Sequence, residues 1–233
     1  MYDSEASIAN TDTPAQPSRQ CPLCGWAGQE FSVAGRGQKQ RYDARCPECG
    51  SFERHRLAFL VAEQCVALDF SKVVHAAPEI SLEKWLRSKS EHYLSIDIDC
   101  HKAMAQMDLT ELSLDQNTQS LFWASHVLEH IEDDRKAISE IHRVLIPGGK
   151  AFIQVPIWRA NTFESSIAQT PKQRLESFYQ EDHVRLYGWD IIDRFLDHGF
   201  KAELYRAQDF GPTVLLQHRI SFASTDEVFV FTK

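Results

Sequence analysis

Three absences narrow the class of protein before any motif is considered. The 233-residue chain has no apolar run near the ~18 residues that a transmembrane helix needs. Its first 18 residues, MYDSEASIANTDTPAQPS, lack the basic and apolar regions of a secretory signal. A net charge of −8 leaves no excess of positive charge for coating nucleic acid. We therefore expect a cytoplasmic protein whose six cysteines are reduced or metal-bound.

The composition is that of a globular protein with a polar N-terminal segment. Hydrophobic residues make up 43% of the chain and charged residues 25%, which suits one good-sized domain and a small one. Residues 1–18 are rich in Ser, Thr, Asp, Pro and Ala and have almost nothing to bury. We expect this segment to be a flexible tail.

Four of the cysteines form two Cys-x-x-Cys pairs, CPLCG at 21–25 and CPECG at 46–50. The short spacing lets two thiolates bind one ion, and the trailing glycine permits the left-handed turn of a knuckle. The four thiolates of a closed, structural zinc site would come from Cys21, Cys24, Cys46 and Cys49. We therefore predict a zinc ribbon over residues 19–56. Disulfides, redox thiols and an iron–sulfur centre are the alternatives.

The predicted ribbon is locally basic within an acidic chain. Residues 19–56 hold seven basic and four acidic side chains, which could contact RNA or a phosphorylated substrate, although a solvated surface is the simpler interpretation. Nucleic acid is thus an unfavoured partner that the ribbon does not exclude. A helical pattern follows over residues 51–70, in which Cys65 fits as a small core residue. Cys100 and His101 are interpreted as loop residues, because two ligands do not make a metal site.

Residues 125–156, SHVLEHIEDDRKAISEIHRVLIPGGKAFIQVP, indicate the fold class. The preceding LFWAS and the later AFIQVP are apolar runs too short for helices. Between them, apolar residues recur every three or four positions after Asp133 and Asp134, which suit a helix N-terminus. Pro147-Gly148-Gly149 then stops the helix. Two apolar strands joined by a helix predict a parallel pair inside an α/β sheet that is buried on both faces.

The same stretch resembles class I S-adenosylmethionine (SAM) dependent methyltransferases. HVLEH paired with the later LIPGG is similar to the fourth strand, helix and fifth strand of the family's small-molecule branch. The resemblance covers roughly residues 72–233. It implies a Rossmann-like α/β sheet of seven mostly parallel strands, with the last strand antiparallel beside the fifth. HxAPE, the upstream ERHR and the later EDHVR.YG resemble a small group in which a zinc ribbon precedes the methyltransferase domain.

The resemblance implies that SAM is the cofactor and that it binds beyond the carboxyl ends of the strands. Most relatives have a glycine-rich G-x-G-x-G loop after the first strand. This chain has His75, Ala76, Ala77, Pro78 and Glu79 there. Alanine allows a close approach of the cofactor but resists positive φ. A domain that kept the fold and lost SAM is therefore the alternative.

Two acidic positions and a serine complete the predicted cofactor residues. Asp97, at the end of YLSIDID, matches the family's ribose-binding acid, with Asp99 as second choice and a solvated loop acid as the alternative. Asp108 and Leu109 match the residues that meet adenine in the family, unless Asp108 only forms a turn. Ser125 closes the fourth strand beside them.

Methyl transfer from a sulfonium is an in-line displacement, which needs alignment and exclusion of water but no covalent intermediate. Some acceptors also need a base. His126 and His130 follow the fourth strand and would share one face if that segment is helical. We predict that either residue orients the acceptor or takes its proton; capping or packing is the alternative.

The main domain is predicted to span residues 57–233, with a linking helix at 57–70 and a lid at 157–187. The lid segment is polar and aromatic and longer than an ordinary connection. Its predicted substrate contacts are His183, Arg185 and Tyr187. An ordinary surface loop is the alternative.

These observations favour SAM-dependent methyl transfer to a small or conjugated acceptor of unknown identity. The alternative is a zinc-ribbon binding or scaffold protein whose methyltransferase-like domain is degenerate and non-catalytic. A nicotinamide oxidoreductase is disfavoured because the chain lacks G-x-G-x-x-G. No pattern indicates the acceptor atom or the oligomeric state.

Overall fold

The computed structural model describes residues 18–37, 40–222 and 225–233. The predicted tail at residues 1–18 lies outside the described residues apart from Ser18. None of the helices in the described ranges is long and apolar enough to cross a membrane.

The N-terminal module consists of two short antiparallel pairs. Strands β1 (Arg19–Gln20) and β2 (Ala27–Gly28) form one pair, and β3 (Ser32–Ala34) and β4 (Arg41–Arg45) form the other. Phe31 packs with two of the cysteines in a small buried cluster. With so little apolar surface to bury, this module needs a cross-link or a metal for stability.

Helix α1 (Glu53–Gln64) follows and buries Leu57, Ala58, Leu60, Val61 and Ala62. It begins earlier and ends earlier than the linking helix predicted at 57–70. The Phe52 N–H donates to His55 Nδ1 at 3.2 Å and so caps the first turn. The Cys65 and Val66 amides both donate to the Val61 carbonyl, which closes the last turn.

The remaining elements follow in the order β5 (Lys72–Ala76), α2 (Ile80–Lys89), β6 (His92–Asp97), β7 (Ala105–Gln106), β8 (Gln119–Ser125), α3 (Asp134–Val144), β9 (Leu145–Gln154), β10 (Ile157–Arg159), β11 (Phe163–Glu164), α4 (Pro171–Phe178), β12 (Arg185–Gly188), α5 (Ile191–Leu196), β13 (Lys201–Arg206), α6 (Gly211–His218) and β14 (Glu227–Thr232). Seven of the strands form the central sheet in the order β13-β14-β9-β8-β5-β6-β7.

The central sheet confirms the predicted Rossmann-like fold. Strands β7, β6, β5, β8 and β9 are parallel, and β14 lies antiparallel beside β9. Strand β14 is also antiparallel to β13. The inner strands are buried because helices cover both faces of the sheet, which explains their continuous apolar sequences.

Pro147, Gly148 and Gly149 do not form the turn that ends α3. The helix stops at Val144, and the three residues lie inside β9, where the register with β8 shifts. Gly148 has φ +80°, and its N–H donates to the carbonyl of Lys233 at 2.9 Å. The segment is therefore a bulge in a strand, held by the C-terminal end of β14.

The segment predicted to be a lid has its own small fold. Strands β10, β12 and β11 form a three-stranded sheet in that order, and α4 packs beside it. Phe163, Ala168, Phe178 and Leu186 form its apolar cluster.

Candidate active site

The four ribbon cysteines converge as their spacing predicts. Their sulfurs lie within 4.8 Å of one another. Cys21 Sγ is 3.6 Å from Cys49 Sγ, and Cys24 Sγ is 3.7 Å from Cys46 Sγ. Zinc held by four thiolates at ~2.3 Å places neighbouring sulfurs about 3.8 Å apart, so the cluster fits a tetrahedral zinc ion.

Each Cys-x-x-Cys-Gly segment forms the same knuckle. The Gly25 N–H donates to the Cys21 carbonyl at 2.9 Å, and the Gly50 N–H donates to the Cys46 carbonyl at 3.0 Å. Both glycines have positive φ, +78° and +73°, which a side chain would strain.

The thiols of the cluster do not ionise equally. Hydrogen bonding from Cys21 lowers the pKa of Cys49 to about 4. Burial raises the pKa of Cys24 to about 11. Four thiolates in one small space need a cation, which is the chemistry that a structural zinc ion would supply.

A cavity of about 520 Å³ opens beyond the carboxyl ends of β5, β6 and β8. Its lining includes Ala77, Asp97, Asp108, Leu109, His126, His130, Arg174 and Asp182. This position is where ligands bind in open α/β sheets, and the volume lies within the roughly 300–1,000 Å³ of small-molecule sites. A cavity of about 570 Å³ beside the ribbon cysteines contains none of the predicted cofactor or catalytic residues. The cavity at the strand ends is named the cofactor cavity below.

Four predicted cofactor residues line the cofactor cavity: Ala77, Asp97, Asp108 and Leu109. Asp97 accepts a hydrogen bond from the Asp99 N–H at 2.8 Å through Oδ1. Asp108 Oδ1 accepts from the amide and hydroxyl of Thr110 at 2.7 and 2.8 Å. Asp108 thus forms the turn considered as its alternative role, through one of its two oxygens.

The other predicted cofactor residues do not line the cavity: His75, Ala76, Pro78, Glu79 and Ser125. His75 is fully buried, with Nδ1 2.9 Å from the Tyr93 hydroxyl and Nε2 2.9 Å from Glu79 Oε2. The Ser125 hydroxyl donates to Gln154 Oε1 at 3.2 Å. These side chains support the loop after β5 from within the sheet.

Two residues on the cofactor cavity have strained backbones. Ala77 has φ +47° and His126 has φ +56°, the left-handed region that glycine adopts easily. The Ala77 N–H donates to the Ile96 carbonyl at 2.8 Å and so fixes the turn. At Ala77 the loop therefore takes a backbone conformation suited to glycine, although the methyl group of alanine disfavours that conformation. Strain at two neighbouring strand ends is typical of a functional site.

A second cavity of about 300 Å³ adjoins His126 on the ribbon side. Its lining is Arg41, Glu53, Arg54, His126, Pro156, Trp158, Gln180, Phe222 and Thr225. The ribbon, α1, the lid and the segment before β14 all contribute, so sequence reasoning missed most of these residues. The excess of basic side chains in residues 19–56 was the one feature of the sequence that pointed to this cavity. This cavity is named the ribbon-side cavity.

Arg54 is the most unusual side chain of the ribbon-side cavity. Its Nε is buried and has no hydrogen-bond partner among the described residues. Burial lowers the pKa of Arg54, partly opposed by Glu79. Arg41, by contrast, pairs with Glu53 at 3.1 Å and stacks 4.1 Å over the Phe222 ring. A half-buried guanidinium that forms no ion pair among the described residues favours an anionic ligand, because desolvated charge is costly.

Near Arg54, the side chains of Glu79 and His55 keep the charge states that they would have in water at neutral pH. Burial and the neighbouring Arg54 lower the pKa of His55 to about 3. Burial alone would raise the pKa of Glu79, but its hydrogen bond with His75 lowers it to about 2. A neutral His55 and an ionised Glu79 therefore lie 3.8 Å apart, measured from Nε2 to Oε1.

The two predicted catalytic histidines both line the cofactor cavity. They do not share a helical face, because residues 128–130 form a single 3-10 turn that His126 precedes. His126 Nδ1 lies 3.2 Å from Glu129 Oε1, and His130 Nδ1 lies 3.2 Å from the Asp182 carbonyl. Burial of Glu129 is outweighed by His126 and His130, so the pKa of Glu129 is lowered.

Two of the predicted substrate contacts lie inside the protein. Arg185 pairs with Glu164 at 2.9 Å and donates to the Leu128 carbonyl at 3.0 Å. The Tyr187 hydroxyl donates to Asp134 Oδ2 at 2.6 Å. They tie the lid to the start of α3 and line neither cavity. His183 is also buried, but its ring lies against His130, with 4.7 Å between centroids.

Comparison with solved structures shows the fold. A chain of the complex between the Haloferax volcanii Trm112 methyltransferase activator and a methyltransferase superposes with a TM-score of 0.56 at 13% identity, covering 77% of this chain and 88% of that one. A SAM-dependent methyltransferase from Archaeoglobus fulgidus gives 0.54 at 14%, covering 79% and 95%. The [4+2]-cyclase SpnF gives 0.52 at 15%, covering 76% and 79%. The fold by itself therefore does not decide the reaction.

The sequence comparisons identify the domain. No curated protein matches the chain. Residues 49–153 match the family model described as a methyltransferase domain. That range includes the end of the ribbon, α1 and the strands from β5 into β9, which carry the cofactor cavity. These findings agree with the resemblance: residues 49–153 match a methyltransferase domain, the central sheet has the fold of class I SAM-dependent methyltransferases, and a module with four clustered cysteines precedes it.

Proposed function

We propose that the protein transfers the methyl group of SAM to an acceptor with an acidic group, held in the ribbon-side cavity. The position of His126, which lines both cavities, carries this proposal. In-line displacement requires donor and nucleophile on opposite sides of one carbon. SAM in the cofactor cavity and an acceptor in the ribbon-side cavity would approach each other at His126, the residue that both cavities share.

The cofactor half follows from the family resemblance and the placement of the residues. Asp97 would accept the ribose hydroxyls, Asp108 and Leu109 would contact the adenine, and the backbone at Ala77 would approach the methionine part. When bound, SAM supplies an electrophilic methyl group. The protein holds it in a cavity partly closed by Arg174 and Asp182 of the lid.

The acceptor half follows from charge and shape. Arg54 offers a guanidinium whose Nε has no partner in the described part of the chain, while Trp158 and Phe222 provide aromatic surface. A cavity of about 300 Å³ suits a small molecule or the end of a conjugated one. A carboxylate or phosphate on the acceptor would compensate the charge of Arg54.

His126 is the candidate base. Its Nε2 is buried and has no partner among the described residues. The Glu129 carboxylate beside Nδ1 would stabilise the imidazolium after it takes a proton from the acceptor.

Calorimetry with SAM and the full chain tests the cofactor half. Asp97→Ala should weaken binding about 10- to 100-fold, since hydrogen bonds to a charged group contribute ~1.5–3 kcal/mol. Asp99→Ala is the matched control and should change affinity little, because Asp99 does not line the cavity. Absence of SAM binding to the wild-type protein would refute the function and favour the scaffold alternative.

Methyl-labelled SAM with a cell extract tests the acceptor half. We expect the label to enter an acidic small molecule or conjugate. Arg54→Gln should abolish labelling and leave SAM affinity unchanged. Labelling that survives this substitution would refute the assigned acceptor site while leaving the cofactor half intact.

A further inference from the structure

We propose that Glu129, His130 and His183 bind a divalent transition-metal ion between the cofactor cavity and the lid. These three residues are named the EHH cluster. The site goes beyond the proposed methyl transfer, and its test needs neither SAM nor an acceptor.

The donor atoms of the EHH cluster are already close together. One ligand atom from each residue lies within 4.8 Å of the other two. Three ligands at ~2.0–2.2 Å from a common ion lie about 3–4 Å from one another, so side-chain movements of up to about 0.7 Å would complete the site.

Glu129 has more acceptor capacity than the protein uses. Its side chain is 1% exposed, and neither carboxylate oxygen has a hydrogen bond among the described residues. His126 Nδ1, 3.2 Å away, can serve Oε1 only after a change of angle, and it leaves Oε2 without a partner. A buried carboxylate in this condition is costly unless a cation neutralises it.

The two histidines present free nitrogens to the same space. His130 Nδ1 lies 3.2 Å from the Asp182 carbonyl, so this nitrogen carries the proton and Nε2 keeps its lone pair. His183 is 2% exposed, and its Nδ1 has no partner in the described part of the chain. A polar interior atom without a partner is rare, and both His183 and the neighbouring Glu129 have such atoms among the described residues.

Hydrogen bonds to the backbone join the segment that carries His183 to the 3-10 turn that carries Glu129 and His130. The Val184 N–H donates to the Glu129 carbonyl at 2.9 Å. Arg185 donates to the carbonyls of Leu128 and Ile131, which flank Glu129 and His130. The segment that carries His183 is thus fixed to the 3-10 turn, as a preorganised site requires.

The donor set selects the class of metal. Two imidazoles and one carboxylate suit Zn²⁺, Mn²⁺, Fe²⁺ or Co²⁺ better than Mg²⁺ or Ca²⁺, which prefer oxygen alone. Three protein ligands leave coordination positions open. Because His130 lines the cofactor cavity, small molecules can reach them.

Cobalt binding to the full chain tests the proposal. The ribbon is first loaded with zinc, and Co²⁺ alone is then titrated while bound metal and visible absorption are measured. We expect the protein to bind one additional equivalent of Co²⁺. This Co²⁺ should show the weak visible absorption of an ion with nitrogen and oxygen ligands, without the charge-transfer bands of sulfur ligands. Glu129→Gln and His183→Gln should each weaken binding of this additional Co²⁺ by at least ~100-fold, because losing a hydrogen-bond partner of a metal ligand already costs about 10- to 100-fold and these residues are the ligands themselves.

A matched control comes from another group of potential ligands. Asp99, Cys100 and His101 also lie within 4.8 Å of one another. His101→Ala should leave the additional equivalent unchanged. The proposal would be overturned if His101→Ala lost the additional Co²⁺, if both EHH variants kept it, or if the wild-type protein did not bind it. Thermal unfolding of every variant identifies misfolding, and the part-exposed His130→Gln replaces any variant that does not fold.

Discussion

The left-handed conformation of Ala77 gives a sharp test of the loop that replaces the family's glycines. An alanine at φ +47° is strained by ~1–2 kcal/mol. Ala77→Gly removes that strain but makes the unfolded chain more flexible, at a cost of ~0.4–1 kcal/mol. We therefore expect a net stabilisation of about 0.5–1 kcal/mol.

Ala76→Gly is the matched comparison, one residue earlier at the end of β5. Ala76 is fully buried and is not among the residues with positive φ. Its substitution loses a buried methyl group, ~0.8 kcal/mol, in addition to the entropy term. We expect a destabilisation of about 1–2 kcal/mol.

Urea unfolding with a constant m-value measures both free energies, and thermal unfolding should show a separation of several degrees. The two variants should differ in sign. Equal destabilisation of Ala76→Gly and Ala77→Gly would refute the left-handed turn and, with it, the inference that this loop mimics a glycine loop.

Two further predictions concern pH and the attachment of the lid. The pKa of His55 is about 3 in the folded protein, against ~6.5 in the unfolded chain, so between these values only the unfolded state binds the proton. The free energy of unfolding therefore falls as the pH drops below ~6.5, and His55 contributes up to ~1.4 kcal/mol of this loss per pH unit. Urea unfolding across pH 4.5–7.5 should show that the free energy of unfolding of His55→Gln depends less steeply on pH. An unchanged slope would contradict the lowered pKa of His55. Arg185→Met should lower the free energy of unfolding by about 3 kcal/mol, because it leaves the carbonyls of Leu128 and Glu132 without their donor and removes one of the two arginines that pair with Glu164. Arg135→Met is its control and should change stability by less than ~1 kcal/mol, since Arg135 and Asp197 are both more than half exposed.

Local patterns predicted the order of the strands of the central sheet along the chain and the clustering of the four ribbon cysteines. Each Cys-x-x-Cys-Gly knuckle closes on itself, so its ligands follow from a few adjacent residues. The strands and α3 follow from apolar periodicity, and Asp133 caps α3 by accepting from the Lys136 N–H at 2.9 Å, as predicted. The acids at Asp97 and Asp108 lie on the cofactor cavity because they end strands at one edge of the sheet.

Features that depend on distant segments could not be predicted this way. Gly148 and Gly149 resemble a helix stop, but their amide and carbonyl pair with Lys233, which makes the segment part of a strand. Glu129 and His183 are neighbours only because the lid folds back on the 3-10 turn. Arg54 belongs to a site only because the ribbon docks against the sheet.

Helix α1 shows why the ribbon and the main domain form one site. Arg56 is fully buried and donates to the carbonyls of Ala44 and Ser51 in the ribbon and of His218 beyond it, at 2.6–3.1 Å. Its guanidinium also lies 4.1 Å from the Phe31 ring, beside the cysteine cluster. Arg54 is two residues earlier on the same helix. A zinc ion that orders the ribbon would therefore also fix the position of Arg54, and a structural metal would then contribute indirectly to binding the proposed acidic acceptor.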